Sequence, residues 1–226
     1  MSKEIRVLST KALRASNLQH LTDKGASVVT RSFIRIEFPA VIDLPPAEKV
    51  NVIITSANAV AALMRIREQL PVFHEVYCIA GRTEALVREH LAYTGSIIAR
   101  PYASELLIPI IQSEQTIPLW FFKGDKALPT IPDGLNHAGI SFKAIEVYRN
   151  VALPHVLKED FSAILFLSPS AVESFLQHNI IPDNTITFAI GKTTAAALKP
   201  FAKQVVICES PTEGSLVAAV VNYFNL

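Results

Sequence analysis

Hydroxyl and basic residues recur in short clusters that follow an apolar run and open an amphipathic stretch: Thr55-Ser-Ala-Asn58, Gly81-Arg-Thr83, Lys123-Gly-Asp125, Ser168-Pro-Ser170 and Gly191-Lys-Thr-Thr194. Ser104 opens a further stretch after Arg100-Pro-Tyr102. A strand-to-helix junction leaves backbone N–H groups unpaired at the helix start, and a Ser, Thr or Asn there caps them for about 1 kcal/mol. Capping is enough to explain any one cluster. Taken together, and flanked by Arg82, Lys123, Lys126 and Lys192, they also suit a ligand carrying several carboxylates or phosphates, which helix N-termini bind well. The candidate binding residues are Thr55, Ser56, Ala57, Arg82, Thr83, Ser104, Lys123, Ser168, Ser170, Gly191, Lys192, Thr193 and Thr194. Tyr148 directly follows the apolar run Phe142 to Val147; a tyrosine at a strand end packs its ring and wets its hydroxyl.

Better-known catalytic patterns fail on spacing. Gly191-Lys-Thr193 has the ending of a phosphate-binding loop, but that loop's first glycine would fall at Ile186, inside an apolar run. There is no G-x-G-x-x-G, and Ser168 lies in Leu-Ser-Pro-Ser without the flanking glycines of a nucleophile elbow. His20, His74, His90, His137, His155 and His178 share no metal-ligand spacing, and neither Cys78 nor Cys208 has a C-x-x-C partner. Neither a cofactor nor a metal is expected. Both cysteines end apolar runs, where a free thiol behaves as a small buried hydrophobe, so a reducing compartment fits.

The chain has 226 residues with net charge +1, and half its residues are hydrophobic against 18% charged. That composition folds into cores rather than staying disordered, and the length suits two domains of roughly 100 to 120 residues. So small a net charge supplies no field to draw in nucleic acid or an anionic membrane, and neither is expected as a partner. The opening Met1-Ser-Lys-Glu-Ile-Arg lacks the apolar core of a signal peptide, and no run approaches about 18 apolar residues. A soluble cytoplasmic protein is expected.

Short runs rich in Val, Ile and Phe alternate with helical patterns throughout, which predicts βαβ units and parallel sheets. The strand candidates are Ile5 to Leu8, Ser27 to Ile34, Val50 to Thr55, Glu75 to Ile79, Ser96 to Ile98, Leu119 to Phe122, Phe142 to Val147, Ala163 to Leu167, Ile186 to Ile190 and Gln204 to Ile207. They divide into two sheets of five. An internal repeat supports the division: Ser56-Ala-Asn-Ala-Val60 answers Ser168-Pro-Ser-Ala-Val172, Gly81-Arg-Thr83 answers Gly191-Lys-Thr193, and Pro101 with Leu106 answers Pro211 with Leu216. The copies lie about 110 residues apart. The second copy ends one β-α-β short, and the missing piece stands at residues 4 to 36, where Gly25 before Ser27 mirrors Gly139 before Phe142. One domain is therefore read as residues 1–37 plus 150–226, and a second, 40–147, as inserted into it. The crossings fall near 38–46 and 148–154 and form a double-stranded hinge. In such sheets ligands bind outside the carboxyl ends of the strands.

Ile54-Thr-Ser-Ala-Asn-Ala-Val60, Gly81-Arg-Thr83, Arg100-Pro-Tyr-Ala-Ser104, Phe122-Lys-Gly-Asp125, Glu146-Val-Tyr-Arg149, Phe166-Leu-Ser-Pro-Ser-Ala-Val172, Ala189-Ile-Gly-Lys-Thr-Thr194 and Ser210-Pro-Thr212 stand in one order along nearly the whole chain. In these stretches the sequence resembles the uroporphyrinogen-III synthase family. The resemblance implies two flavodoxin-like domains joined by a two-stranded linker, with no cofactor. It also implies the reaction, in which hydroxymethylbilane loses its hydroxyl as water and closes in the interdomain cleft with inversion of ring D. Tyr148 then resembles the family tyrosine that assists departure of the hydroxyl, and Thr55, Ser56, Ser104, Ser168, Ser170, Thr193 and Thr194 look like residues that hold carboxylates. The sequence departs from the family where Leu8-Ser-Thr-Lys11 replaces Thr-Arg-Pro and where Lys123 stands for an arginine before glycine. A monomer is expected; transient contact with the preceding pathway enzyme is left open. The competing reading is a non-catalytic binding or sensor module for an anionic small molecule. A nucleotide-linked transferase is a third, without a phosphate fingerprint.

Overall fold

A computed structural model describes residues 4–114 and 116–226. In chain order its first elements are β1 (Arg6–Ser9), α1 (Ala15–Asp23), β2 (Ser27–Thr30), β3 (Ile34–Glu37), β4 (Lys49–Ile54), α2 (Ala57–Arg65), β5 (Val72–Ile79), α3 (Arg82–His90), β6 (Ile97–Arg100) and α4 (Ala103–Gln112). Then come β7 (Leu119–Gly124), α5 (Thr130–His137), β8 (Lys143–Ala152), β9 (Ala163–Phe166), α6 (Pro169–Leu176), β10 (Ile186–Ala189), α7 (Lys192–Leu198), β11 (Val205–Ile207) and α8 (Glu213–Phe224).

Two compact units result: the chain up to Arg35 together with Val151–Leu226, and Ile36–Asn150. The first holds a five-stranded sheet in the order β11-β10-β9-β1-β2, all of it parallel. The second holds a six-stranded sheet, β3-β8-β7-β4-β5-β6, parallel from β8 to β6. With β3 set aside, the two correspond strand for strand: β4, β5, β6, β7 and β8 match β9, β10, β11, β1 and β2.

Each sheet is covered on both faces, which is why its central strands read as unbroken apolar runs. In the second unit Val52, Ile54, Trp120 and Phe122 pack with α2 and α3, while Ile53, Leu119 and Phe121 pack with α4 and α5. In the first, Ile164 and Phe166 face α6 and α7, while Ala163 and Leu165 face α1 and α8. At about 25 cal/mol per Å² of apolar surface, these four layers are the main source of stability.

The expectation of two five-stranded sheets needs correction, because Ser27 to Ile34 is not one strand. Ladder pairing stops at Thr30, and Phe33 turns its side chain, 0% exposed, into the first unit's core, against the rings of Phe175 and His155. Its N–H donates to the Thr10 carbonyl. The chain then restarts as β3 in the other sheet, which thereby gains its sixth strand. Residues 38–46 pack onto the second unit's core through Phe38, Ile42 and Leu44, with the Arg65 guanidinium 5.1 Å from the Phe38 ring. Among the described residues no helix is long and apolar enough to cross a membrane.

Cys78 and Cys208 are free and buried, and burial pushes both thiols up to about 11. At pH 8 only about one thiol in a thousand is then the reactive thiolate. Iodoacetamide at pH 8 is expected to leave both unmodified in the folded protein and to alkylate both in urea, read by mass spectrometry. Modification of the folded chain at the urea rate would mean that these cores open.

Candidate functional site

In the second unit the strand order reverses between β4 and β7, so the crevice at their carboxyl ends is the natural ligand position. Thr55 and Ser56 leave β4 there and Lys123 and Gly124 end β7. Ser56 caps α2, its Oγ accepting from the Asn58 N–H at 3.1 Å. The Tyr148 hydroxyl, coming from β8, donates to the same Oγ at 3.1 Å. To get there the phenol crosses β7 directly above Gly124: a Cβ on that glycine would lie 2.4 Å from Tyr148 Cζ and 2.8 Å from its hydroxyl oxygen. Gly124 is needed for this close approach. Tyr148 is 9% exposed, its ring in the core beneath α2 and its hydroxyl at the strand ends. A serine hydroxyl has one proton and two acceptor sites; with both acceptor sites used, the Ser56 proton is left to bind something else.

The loop after Gly124 is tied to the end of β8. Asp125 donates its N–H to the Tyr148 carbonyl at 3.2 Å, and its Oδ1 accepts from the Asn150 N–H and from Asn150 Nδ2, both at 2.9 Å. Partial desolvation pushes the Asp125 carboxyl up, but the Asn150 bonds, the Lys126 N–H and the Lys126 charge outweigh it and hold the group below its ordinary value. It is therefore ionised at neutral pH.

Around this centre the other candidates of the second unit vary. Thr55 and Ala57 are half-buried at the junction, and Lys123 folds its Nζ back onto the Gly124 carbonyl at 3.0 Å. Arg82 is exposed at the start of α3, which no side chain caps, while Thr83 is buried in its own unit. Ser104 is exposed in the first turn of α4.

In the first unit the order reverses between β9 and β1. Ser168 caps α6 by accepting from the Ala171 N–H at 3.2 Å, with Ser170 half-buried beside it. Gly191 precedes α7 without a side-chain cap; Lys192 and Thr193 are exposed, and Thr194 is 1% exposed. Among the described residues neither Arg82 nor Lys192 forms an ion pair, so both charges remain available to an anion. Thr83 and Thr194 are the two candidates that the fold turns inward. The sequence reading missed Asn150, for which there is no local signal, and it gave no role to Gly124. Among the described residues no three of His, Cys, Asp and Glu gather into a metal-binding group.

A family model described as uroporphyrinogen-III synthase HemD matches residues 16–218. Among solved structures, uroporphyrinogen-III synthetase from Helicobacter pylori 26695 is similar at 17% identity and a TM-score of 0.70, with 97% of this chain and 99% of that chain covered. A mutant uroporphyrinogen III synthase from the extremely thermophilic bacterium Thermus thermophilus is similar at 16% identity and a TM-score of 0.60, with 98% and 99% covered. At these identities the likeness shows a shared fold. No curated protein matches the sequence.

Gly124→Ala must displace the phenol and is expected to cost about 1–3 kcal/mol through overpacking. Tyr148→Phe, which removes one hydrogen bond, should cost about 1 kcal/mol. Urea unfolding of both separates the two, and an alanine variant as stable as the native chain would show that the ring does not depend on the glycine.

Proposed function

Since the chain belongs to the uroporphyrinogen-III synthase family, a family of cyclising hydro-lyases in tetrapyrrole biosynthesis, we propose that it converts hydroxymethylbilane to the type III macrocycle with loss of water and inversion of ring D. The observation that carries this for the chain's own residues is the Tyr148 hydroxyl, held at 3.1 Å from Ser56 at the strand ends where the sheet order reverses.

The leaving hydroxyl needs a proton to depart as water, and Tyr148 is the proposed donor, as general acid or strong hydrogen-bond partner. Ser56 accepts the phenol's bond in the free protein and holds the hydroxyl in place, and the phenol proton passes from Ser56 to the leaving hydroxyl when substrate arrives. The proposed carboxylate contacts are Thr55, Ser56, Ala57, Arg82, Ser104 and Lys123 in one unit and Ser168, Ser170, Gly191, Lys192 and Thr193 in the other. Helix N-termini with hydroxyl and basic side chains bind carboxylates through N–H groups and charge together. Thr83 and Thr194 act on this reading by shaping the turns beneath their neighbours. Since the linear substrate can close without inversion, the protein's work is to hold ring D in the less common folded pose, an effect of orientation. We also read the units as flavodoxin-like, which the order β2-β1-β9-β10-β11 supports.

The test is a coupled assay in which freshly generated hydroxymethylbilane meets the purified chain, with the type I and type III isomers separated afterwards. Type III product above the spontaneous type I background is expected, and Tyr148→Phe should lower kcat by about a hundredfold. Type I product alone, from protein shown to be folded, would favour a module that binds anionic small molecules without turning them over.

A further inference from the structure

The register between β7 and β8 advances one residue at a time from Trp120↔Lys143 to Lys123↔Glu146, and then Gly124 pairs with Tyr148, skipping Val147. Alternate residues of a strand face opposite sides of its sheet, yet Ile145, Val147 and Tyr148 all belong to the core layer beneath α2. Two neighbours can share a face only because the skipped residue shifts the alternation by one. In a regular strand Tyr148 would fall with Ala144 and Glu146 on the opposite face, away from Ser56, since a slip of one residue flips every side chain beyond it.

We infer that Asp125 is a positioning residue for Tyr148: it locks the register shift that brings the phenol to the Ser56 side of the sheet. It grips β8 on both sides of Arg149. Its N–H holds the Tyr148 carbonyl at 3.2 Å, and its Oδ1 holds the Asn150 N–H and amide at 2.9 Å. All three bonds attach just past the skipped residue, where a strand returning to regular register would have to break them. The backbone bond alone needs only an amino acid other than proline at 125; the two bonds to Oδ1 need this side chain. Bonds to a charged acceptor are about twice as strong as neutral ones, which suits a carboxylate holding a distorted strand end. Gly124 makes room for the ring, the register shift turns the ring toward that room, and Asp125 keeps the shift in place.

This depends on Tyr148 acting as the donor proposed above, and the test separates the two. Asp125→Ala, Asp125→Asn, Tyr148→Phe and Asp125→Ala with Tyr148→Phe are assayed for type III product, with kcat and KM determined separately. A donor misplaced by about 1 Å can cost a hundredfold. Asp125→Ala is thus expected to lower kcat by about ten- to a hundredfold while KM stays within about twofold. Asp125→Asn, whose amide oxygen can accept the same two bonds, is expected to recover most of that loss. In the Tyr148→Phe background, Asp125→Ala should change kcat by less than about twofold, because the group it positions is already gone. Amide exchange at Asn150, slow in the native chain and fast in Asp125→Ala, reports the loosened clamp even where activity is too low to measure. An equal fractional loss of kcat in both backgrounds would overturn the inference, as would a rise in KM with kcat unchanged or an Asn150 amide that stays protected. A full rate in Tyr148→Phe would instead remove the donor reading, and the positioning role with it.

Discussion

In each unit the central strands are parallel and covered by helices on both faces, so they meet water chiefly where they end. The central strands β4, β7, β9 and β10 are apolar on both sides because both sides are core. Polar side chains are thereby driven to the junctions. At the carboxyl ends, helix starts bring unpaired N–H groups, which Ser56 and Ser168 satisfy by accepting from the turns they open. Each cap contributes about 1 kcal/mol to folding, small beside the burial of the layers below. Much of the site chemistry is therefore built from groups that the fold needs anyway. Both capping hydroxyls keep a proton once the cap is made, and what sets Ser56 apart is the Tyr148 phenol bound to the same oxygen.

The core strands and the repeat were legible in the sequence because both rest on side-chain type at short spacing. Val52, Ile53 and Ile54 form a short β-branched apolar run, which favours a strand buried on two faces, and the correspondence of β4 to β6 with β9 to β11 carries the repeated motifs in order. The break at residues 31–33 was not legible. Phe33 looks like a continuation of an apolar run, and only the core around Phe175 and His155 shows why it leaves the strand. The strand prediction ending at Val147 stopped short of β8, which runs on to Ala152 through Arg149 and Asn150. Those polar residues are held by Asp125 and Glu146 rather than by burial. Gly81-Arg-Thr83 and Gly191-Lys-Thr193 match as text, yet Thr83 is buried and Thr193 exposed, with Thr194 buried in its place. Gly81 stands at φ 86 and Gly191 at φ −173, so the chain enters the two helices by different routes. A contact such as Asp125 to Asn150 spans 25 residues and leaves no periodic trace.

The two units are alike in topology and unlike in chemistry. At the reversal point of the first, Thr10 donates both its N–H, at 3.0 Å, and its hydroxyl, at 2.7 Å, to the Leu165 carbonyl, drawing the ends of β1 and β9 together. Thr10 and Ser9 are fully buried, so these hydroxyls serve the backbone rather than a ligand. The neighbouring strand β2, the counterpart of β8, keeps regular register with β1 from Arg6↔Ser27 to Ser9↔Thr30. Without a skipped residue, no side chain there is turned across the sheet onto the crevice. At the reversal point of the second unit Gly124 leaves room instead of a bond, and the shifted β8 fills it with a phenol.

Such a difference between equivalent positions is hard to attribute to folding alone. The regular arrangement of the first unit satisfies its backbone with fewer special residues, whereas that of the second requires a glycine, a register shift and a carboxylate held off its ordinary protonation behaviour. Local departures of this kind tend to gather at functional sites. Their product here is one hydroxyl, fixed by packing on a rigid sheet rather than on a loop. On the proposed reading of Tyr148 as donor, substrate has only to draw the phenol proton away from Ser56, without moving a segment of chain.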